Sequence, residues 1–219
     1  MLRRVLGPLP ASLCALAIVL FARAVTAVRG IFVGISPDMT QRIYFANHAS
    51  HGDFVLIWTV LPARLRRVTR PVAASEYWLA SGLRRFIGRE VFNALLIDRD
   101  PATRRSDPVG QMAQALDEGA SLIVFPEGTR NVTDAPLLPF RSGLFHLARA
   151  RPEVELVPVW IDNLNRVLPK GGMVPVPLIC TVTFGAPLHL MPDETKEAFL
   201  IRATAALGGL SPKAERAVP

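Results

Sequence analysis

Cysteine is nearly absent from this 219-residue chain, Cys14 and Cys180 being the only two. They cannot build a disulfide framework or a cysteine-rich zinc module. Lysine is almost as scarce: three of the 25 basic residues are Lys and the rest are Arg. Arginine suits bidentate contact with phosphate. No acidic residue occurs in the first 35 positions. The sequence has no Gly-x-Ser-x-Gly elbow, which leaves a serine hydrolase built on Ser50 without its usual turn. The 16 aromatics (3 Trp, 2 Tyr, 11 Phe) are not interleaved with arginine, and no recognition motif appears, which argues against nucleic acid as a partner. Internal repeats and long linkers are missing too, so the length fits one domain plus a short appendage.

Half the residues are hydrophobic, a fifth are charged, and the mean hydropathy is +0.31. That excludes a disordered or collagen-like chain. The net charge is +7 and the isoelectric point about 10.4. Greasy and basic together suggest a membrane surface or nucleic acid. The charge is segregated: residues 1–35 carry Arg3, Arg4, Arg23 and Arg29 with no acid, or +4. Residues 64–105 carry ten arginines against Glu76, Glu90, Asp98 and Asp100, or +6, and the remainder is −3. The basic stretch reads as a solvated face or as a surface that holds anionic phospholipid headgroups and recruits an anionic substrate.

Between Arg4 and Arg23 lie 18 uncharged residues, a helix of roughly 27 Å at about 1.5 Å per residue. Pro8 and Pro10 place its start near Ala11. The run from Ala11 to Phe21 fits a signal peptide with Ala22-Arg23-Ala24 as the cleavage site, a short transmembrane helix, an interfacial or re-entrant anchor, or a core helix. The anchor or short span is the working expectation, with residues 1–35 as an N-terminal membrane anchor, 36–210 as the catalytic domain and 211–219 as a flexible tail.

Strand and helix signals alternate through the rest. Strands are expected over 43–46, 68–73, 92–97, 121–125, 155–161 and 180–184. Helices are expected over 53–61, 76–86, 108–119, 141–150 and 193–207. Asp107-Pro108 pairs an N-cap acid with proline at the first helical position, and the apolar run Ser121–Phe125 suits a strand buried on both faces. The class is α/β, one mixed sheet flanked by helices.

Three polar clusters leave strand ends. In Asn47-His48-Ala49-Ser50-His51-Gly52-Asp53, the first helical turn can return the Asp53 carboxylate to His48 Nδ1. That would fix the tautomer and leave Nε2 as a base facing a cleft. A helix cap is the plainer reading of the same spacing, and a metal-dependent hydrolase using His48, His51 and Asp53 is the rival from another class. In Phe125-Pro126-Glu127-Gly128-Thr129-Arg130, the glycine lets backbone approach a ligand and Arg130 can grip phosphate. Leu96-Ile97-Asp98-Arg99 delivers another arginine. Ligands bind at strand ends in open α/β sheets, so the three clusters describe one pocket.

Asn-His-x-Ser-x-x-Asp, then Ile-Asp-Arg, then Phe-Pro-Glu-Gly-Thr-Arg, in this order, resembles the lysophospholipid/glycerolipid acyltransferase family, bacterial 1-acylglycerol-3-phosphate acyltransferases in particular. Phe140-Arg141-Ser142-Gly143 and Val157-Pro158-Val159 are similar to its later blocks, and the likeness covers about residues 42–190. Asn93, Leu96 and Asn131 depart from the family's usual Gly, Phe and Ser. The resemblance implies a glycerolipid acyltransferase-like fold and transfer of an acyl group from an acyl thioester, acyl-CoA or acyl carrier protein, to a lysophospholipid hydroxyl. The acceptor would be 1-acylglycerol-3-phosphate, or another lysolipid such as lyso-ornithine lipid. His48 would be the base and Asp53 its orienter. Arg99, Glu127, Gly128, Thr129, Arg130 and Arg141 would place the acceptor. It implies no cofactor and no metal, membrane phospholipids as partners, and a place at the cytoplasmic face of a bacterial inner membrane.

Overall fold

The computed structural model describes residues 9–98, 107–162 and 179–212. Among these, strands β1 (Arg29–Phe32), β2 (Arg42–Ala46), β3 (Thr69–Ala74), β4 (Leu95–Ile97), β5 (Ser121–Val124), β6 (Glu155–Asp162) and β7 (Thr181–Phe184) form one sheet in the order β1-β7-β6-β2-β5-β3-β4. From β4 to β6 the pairings are parallel. The chain then reverses, since β6 pairs with β7 antiparallel and β1 follows β7 in parallel. This is the mixed sheet expected from the alternating signals. In the centre every residue of β2 and β5 is buried, which is why Ser121–Phe125 reads as a continuous apolar run.

Helices α1 (Leu9–Thr26), α2 (Asp53–Val60), α3 (Ala63–Val68), α4 (Ser75–Trp78) and α5 (Gly82–Phe86) precede a π-helical turn at Ile87–Val91; α6 (Pro108–Asp117), α7 (Gly143–Ala150) and α8 (Lys196–Gly208) follow it. Alternation along the strands splits the core in two. Tyr44, Ala46, Ile123 and Val157 face α1 and α2, while Ile43, Phe45, Leu122 and Leu156 face α6, α7 and α8. At the amino-terminal end of β2, Arg42 is 3% exposed yet fully engaged, with Glu155 and Asp38 each at 2.8 Å and the Ser36 carbonyl at 3.0 Å. A buried guanidinium is tolerated only with such partners, and this one ties the β1–β2 link to β6.

Several expectations need correction. α1 already includes Leu9 and Pro10, ahead of the expected start near Ala11. Arg29–Phe32, expected inside the 1–35 anchor segment, is an edge strand whose Arg29 amide donates to the Cys180 carbonyl at 3.0 Å. Four mostly exposed residues carry no periodic signal, so the strand was hidden and the sheet begins inside that segment. The helix expected over 76–86 is two short helices, because Ser81 caps a new one by accepting from the Arg84 amide at 3.3 Å. The following π turn shortens the expected 92–97 strand to Leu95–Ile97. Gly88 permits that turn: a Cβ there would sit 3.0 Å from the Trp78 ring. α3 was not anticipated. The 211–219 tail falls outside the described residues from 213 onward.

Candidate active site

The carboxyl ends of β2 and β5, neighbours at the centre of the sheet, carry the first two clusters. Asp53 opens α2, and its carboxylate folds back over the loop that precedes the helix. Oδ2 accepts from His48 Nδ1 at 2.9 Å, the Ala49 amide at 2.7 Å and the Ser50 amide at 2.8 Å. Three donors converging on one oxygen, in a side chain 2% exposed, fix the carboxylate and the loop around it. With Nδ1 committed as donor, the neutral imidazole has its lone pair on Nε2, which has no hydrogen-bond partner among the described residues. The other face of the ring is set by Phe125, stacked at 4.2 Å between centroids with planes 22° apart.

The Glu127 carboxylate is turned inward. One oxygen accepts from the His48 amide and the other from the Leu138 amide, each at 2.8 Å, and the residue is 3% exposed. Burial pushes its carboxyl above the usual range while these two amides pull the other way. Expected among the groups that place the acceptor, Glu127 here joins the histidine loop to the 131–140 loop. A second tie runs from the Asn131 amide to the His48 carbonyl at 2.6 Å. Gly128 adopts φ +70°, and a Cβ there would come within 2.6 Å of Arg141 Cδ and closer still to Nε. The missing side chain thus lets the Arg141 side chain cross the loop, which is also joined by the Arg141 backbone amide donating to the Pro126 carbonyl at 2.8 Å. Thr129, Arg130 and Arg141 are exposed at this rim. Arg99 lies outside the described residues, one position beyond the end of the β4 extension at Asp98.

His51 does not join His48. Its ring stacks on Tyr77 at 5.1 Å, and Arg84 covers Tyr77 at 4.5 Å. Burial, then the charges of Arg130 and His48, lower its affinity for a proton. Among the described residues no three His, Cys, Asp or Glu side chains converge as metal ligands.

The acyltransferase family profile matches residues 35–162, more than half of the chain and every cluster described so far. The chain belongs to the acyltransferase family. This acyltransferase is 30% identical over 156 residues to a 1-acyl-sn-glycerol-3-phosphate acyltransferase from Cocos nucifera, covering 68% of this chain and 46% of that one. To the enzyme of that name from Haemophilus influenzae it is 31% identical over 142 residues, 59% and 53% of the two chains. To the one from Escherichia coli (strain K12) it is 29% identical over 150 residues, 63% and 55%. The chain spans about half the length of the curated relatives it matches. The crystal structure of the 1-acyl-sn-glycerophosphate (LPA) acyltransferase from Thermotoga maritima has the same fold, with a TM-score of 0.68 at 20% identity over 94% of this chain and 81% of that one.

Within the acyltransferase, some contributors had no role assigned from sequence. Asn47 closes the gap between the end of β2 and β6, its amide nitrogen donating to the Ile161 carbonyl at 3.0 Å and its oxygen accepting from the Ile161 amide at 2.8 Å. An asparagine directly before His48 was the available signal. Asn93, which departs from the family's usual glycine, has φ +49°, the left-handed conformation that asparagine tolerates best after glycine. Tyr77 gave no signal, because stacking across 26 positions leaves no trace in spacing.

Proposed function

We propose that this acyltransferase moves an acyl group from an acyl thioester, acyl-CoA or acyl carrier protein, to the free hydroxyl of 1-acylglycerol-3-phosphate, giving phosphatidate. The observation that carries this reading is the His48–Asp53 pair at the carboxyl edge of the sheet, with Nδ1 tied at 2.9 Å and Nε2 without a hydrogen-bond partner among the described residues. As the acceptor oxygen forms its bond to the thioester carbonyl, His48 Nε2 takes the hydroxyl proton. The carbon–sulfur bond then breaks, and the proton passes to the leaving thiolate. A positioned base contributes roughly 10²–10⁴ in rate. Asp53 orients the ring and stabilises the imidazolium, as in a triad whose nucleophile is the acceptor itself. Arg130 and Arg141, with Arg99, supply cations for the acceptor phosphate beside the glycine-opened loop, and Thr129 supplies a hydroxyl.

Membrane association belongs to the same reading. α1 presents Leu9, Leu13, Leu16 and Leu20 on one side, all more than half exposed, while Ala11, Val19 and Ala22 pack inward. A helix packed on its domain along one face and apolar on the other lies in the plane of the interface. Soluble thioester donors place that interface on the cytoplasmic face of a bacterial inner membrane. The test is product analysis with a panel of lysolipids, lysophosphatidate and lyso-ornithine lipid included, against both donor types. Phosphatidate should form fastest; a preference for another acceptor would overturn the substrate assignment.

A further inference from the structure

The loop that carries His48 is pinned on its inner side and open at its apex. Asn47 is tied to β6, the His48 amide to Glu127, the His48 carbonyl to Asn131, and the Ala49 and Ser50 amides to Asp53. At the apex the bonds are local. The Gly52 amide donates to Ser50 Oγ at 3.2 Å and the Asp53 amide to the Ser50 carbonyl at 3.3 Å. Among the described residues no hydrogen bond joins His51 to another element. What meets the apex is a ring, Tyr77 of α4, with centroids 5.1 Å apart and planes 12° from parallel.

α4 is a single turn, Ser75–Trp78, too short to hold itself in water. Its place is set by its neighbours. It leaves the carboxyl end of β3, which only β5 separates from β2; at about 4.8 Å per strand, that end stands roughly 10 Å along the sheet edge from the His48 loop. Trp78 anchors the turn in the core, edge-on to Phe54 at 5.9 Å and to Phe92 at 6.2 Å. Gly88 leaves room for it, since a Cβ there would fall 3.0 Å from the indole. Phe54 directly follows Asp53. Two successive rings of α4 therefore grip both halves of the His48–Asp53 pair: Tyr77 meets the loop apex three residues after His48, and Trp78 meets the helical turn that carries Asp53. The Tyr77 ring is itself fixed, with Arg84 over it at 4.5 Å and Trp78 edge-on at 5.4 Å. We propose that Tyr77 is a positioning residue for acyl transfer: with Trp78 it clamps the His48 loop against the start of α2 and so keeps His48 Nδ1 on Asp53 at 2.9 Å. The assignment rests on the reading of His48 as the base. Among the described residues the Tyr77 hydroxyl makes no hydrogen bond, so the ring alone carries the role.

The experiment uses the full chain in detergent micelles as wild type, Tyr77→Ala, Tyr77→Phe, His51→Ala and the double variant Tyr77→Ala with His51→Ala. Three readouts are compared: thermal unfolding, steady-state kinetics with lysophosphatidate and an acyl thioester, and proton NMR of the His48 Nδ1 hydrogen, assigned by its absence from His48→Ala. The NMR readout needs no substrate. A displacement of a reacting group by about 1 Å costs up to about 10² in rate, so Tyr77→Ala should lower kcat about 10–100-fold and leave both KM values within about threefold. Its Nδ1 signal should broaden or vanish, while the unfolding midpoint of this partly exposed site moves only a few degrees. Tyr77→Phe keeps the stack and should restore kcat to within about twofold and the Nδ1 signal fully. The double variant should lose no more than about twofold beyond the poorer single variant, as expected of two partners in one contact. If Tyr77→Ala unfolds, Tyr77→Leu, which keeps volume without a stacked ring, is read in its place. Tyr77→Phe as poor as Tyr77→Ala would overturn the clamp in favour of hydroxyl chemistry. A raised KM with kcat and the Nδ1 signal unchanged would overturn it in favour of a substrate contact, and losses that multiply in the double variant would separate Tyr77 from His51. Wild-type turnover by His48→Ala would sink the base assignment instead; the Nδ1 signal of Tyr77→Ala then decides the clamp alone, and an unchanged signal overturns it.

Discussion

Asp53→Asn removes one charge and almost no volume from the hub of the candidate active site. An asparagine carbonyl oxygen in the Oδ2 position can still accept from His48 Nδ1 and from the Ala49 and Ser50 amides, now at 2.9, 2.7 and 2.8 Å, so the loop should keep its shape. The partner charge for His48 as it takes up the proton is lost. Two unit charges about 4 Å apart attract by about 4 kcal/mol at an effective dielectric of roughly 20. The His48 side chain is 18% exposed, and solvent screening reduces that to about 3 kcal/mol, a factor of about 10² in rate. kcat should therefore fall about 10²-fold while KM for each substrate stays within about threefold. The two amide bonds pass from charge-assisted to neutral and lose about 1 kcal/mol each. For a chain of this size the midpoint of thermal unfolding should then drop by roughly 4–8 °C. The assay is initial-rate thiol release at saturating lysolipid, with circular dichroism on the same samples. A folded variant that keeps more than about a third of wild-type kcat would refute the idea that the carboxylate stabilises a protonated His48.

Other substitutions separate holding the site from holding the substrate. Glu127→Gln leaves one of the His48 and Leu138 amides facing an NH₂ group, a buried mismatch of about 1–3 kcal/mol. Steady-state kinetics should show kcat lowered and the acceptor KM nearly unchanged; a KM effect alone would make Glu127 a ligand. Gly128→Ala adds about 1–2 kcal/mol of left-handed strain and displaces Arg141, whose Cδ lies 2.6 Å from the new methyl position. Acceptor KM should rise about tenfold or more with the donor KM unmoved, and equal rises in both would detach Arg141 from the acceptor. His51 should titrate below its ordinary value of 6.5, and Arg130→Gln should move that midpoint upward, as read by NMR of the imidazole. Because the neutral ring is favoured in the fold, its contribution to stability is complete above 6.5 and is lost as pH falls through the lowered midpoint. An unchanged midpoint in Arg130→Gln would separate the two residues.

What was legible in the sequence is what depends on neighbours along the chain. The strand-to-loop-to-helix junction at Asn47–Asp53 specified the His48–Asp53 contact, because a first-turn carboxylate reaches back only over a few residues. The buried run at Ser121–Phe125 announced its strand, and Asp107-Pro108 announced α6. What was illegible depends on partners far away. β1 is a strand only because β7 offers it an edge. The π turn at Ile87–Val91 depends on Trp78 packing against Gly88. The family resemblance put Glu127 among the groups that place the acceptor. Its hydrogen-bond partners within the fold, the backbone amides of His48 and Leu138, are 79 and 11 positions away, and amides give no signal in a sequence.

The central claim is that His48 is the base for acyl transfer to lysophosphatidate. The most direct measurement is phosphatidate formation by purified wild-type protein and by His48→Ala, from lysophosphatidate with acyl-CoA and with acyl carrier protein as donors. The account predicts rapid product with wild type on at least one donor, and a loss of roughly 10²–10⁴ in His48→Ala with its unfolding midpoint unchanged. Near wild-type turnover by a folded His48→Ala would contradict it.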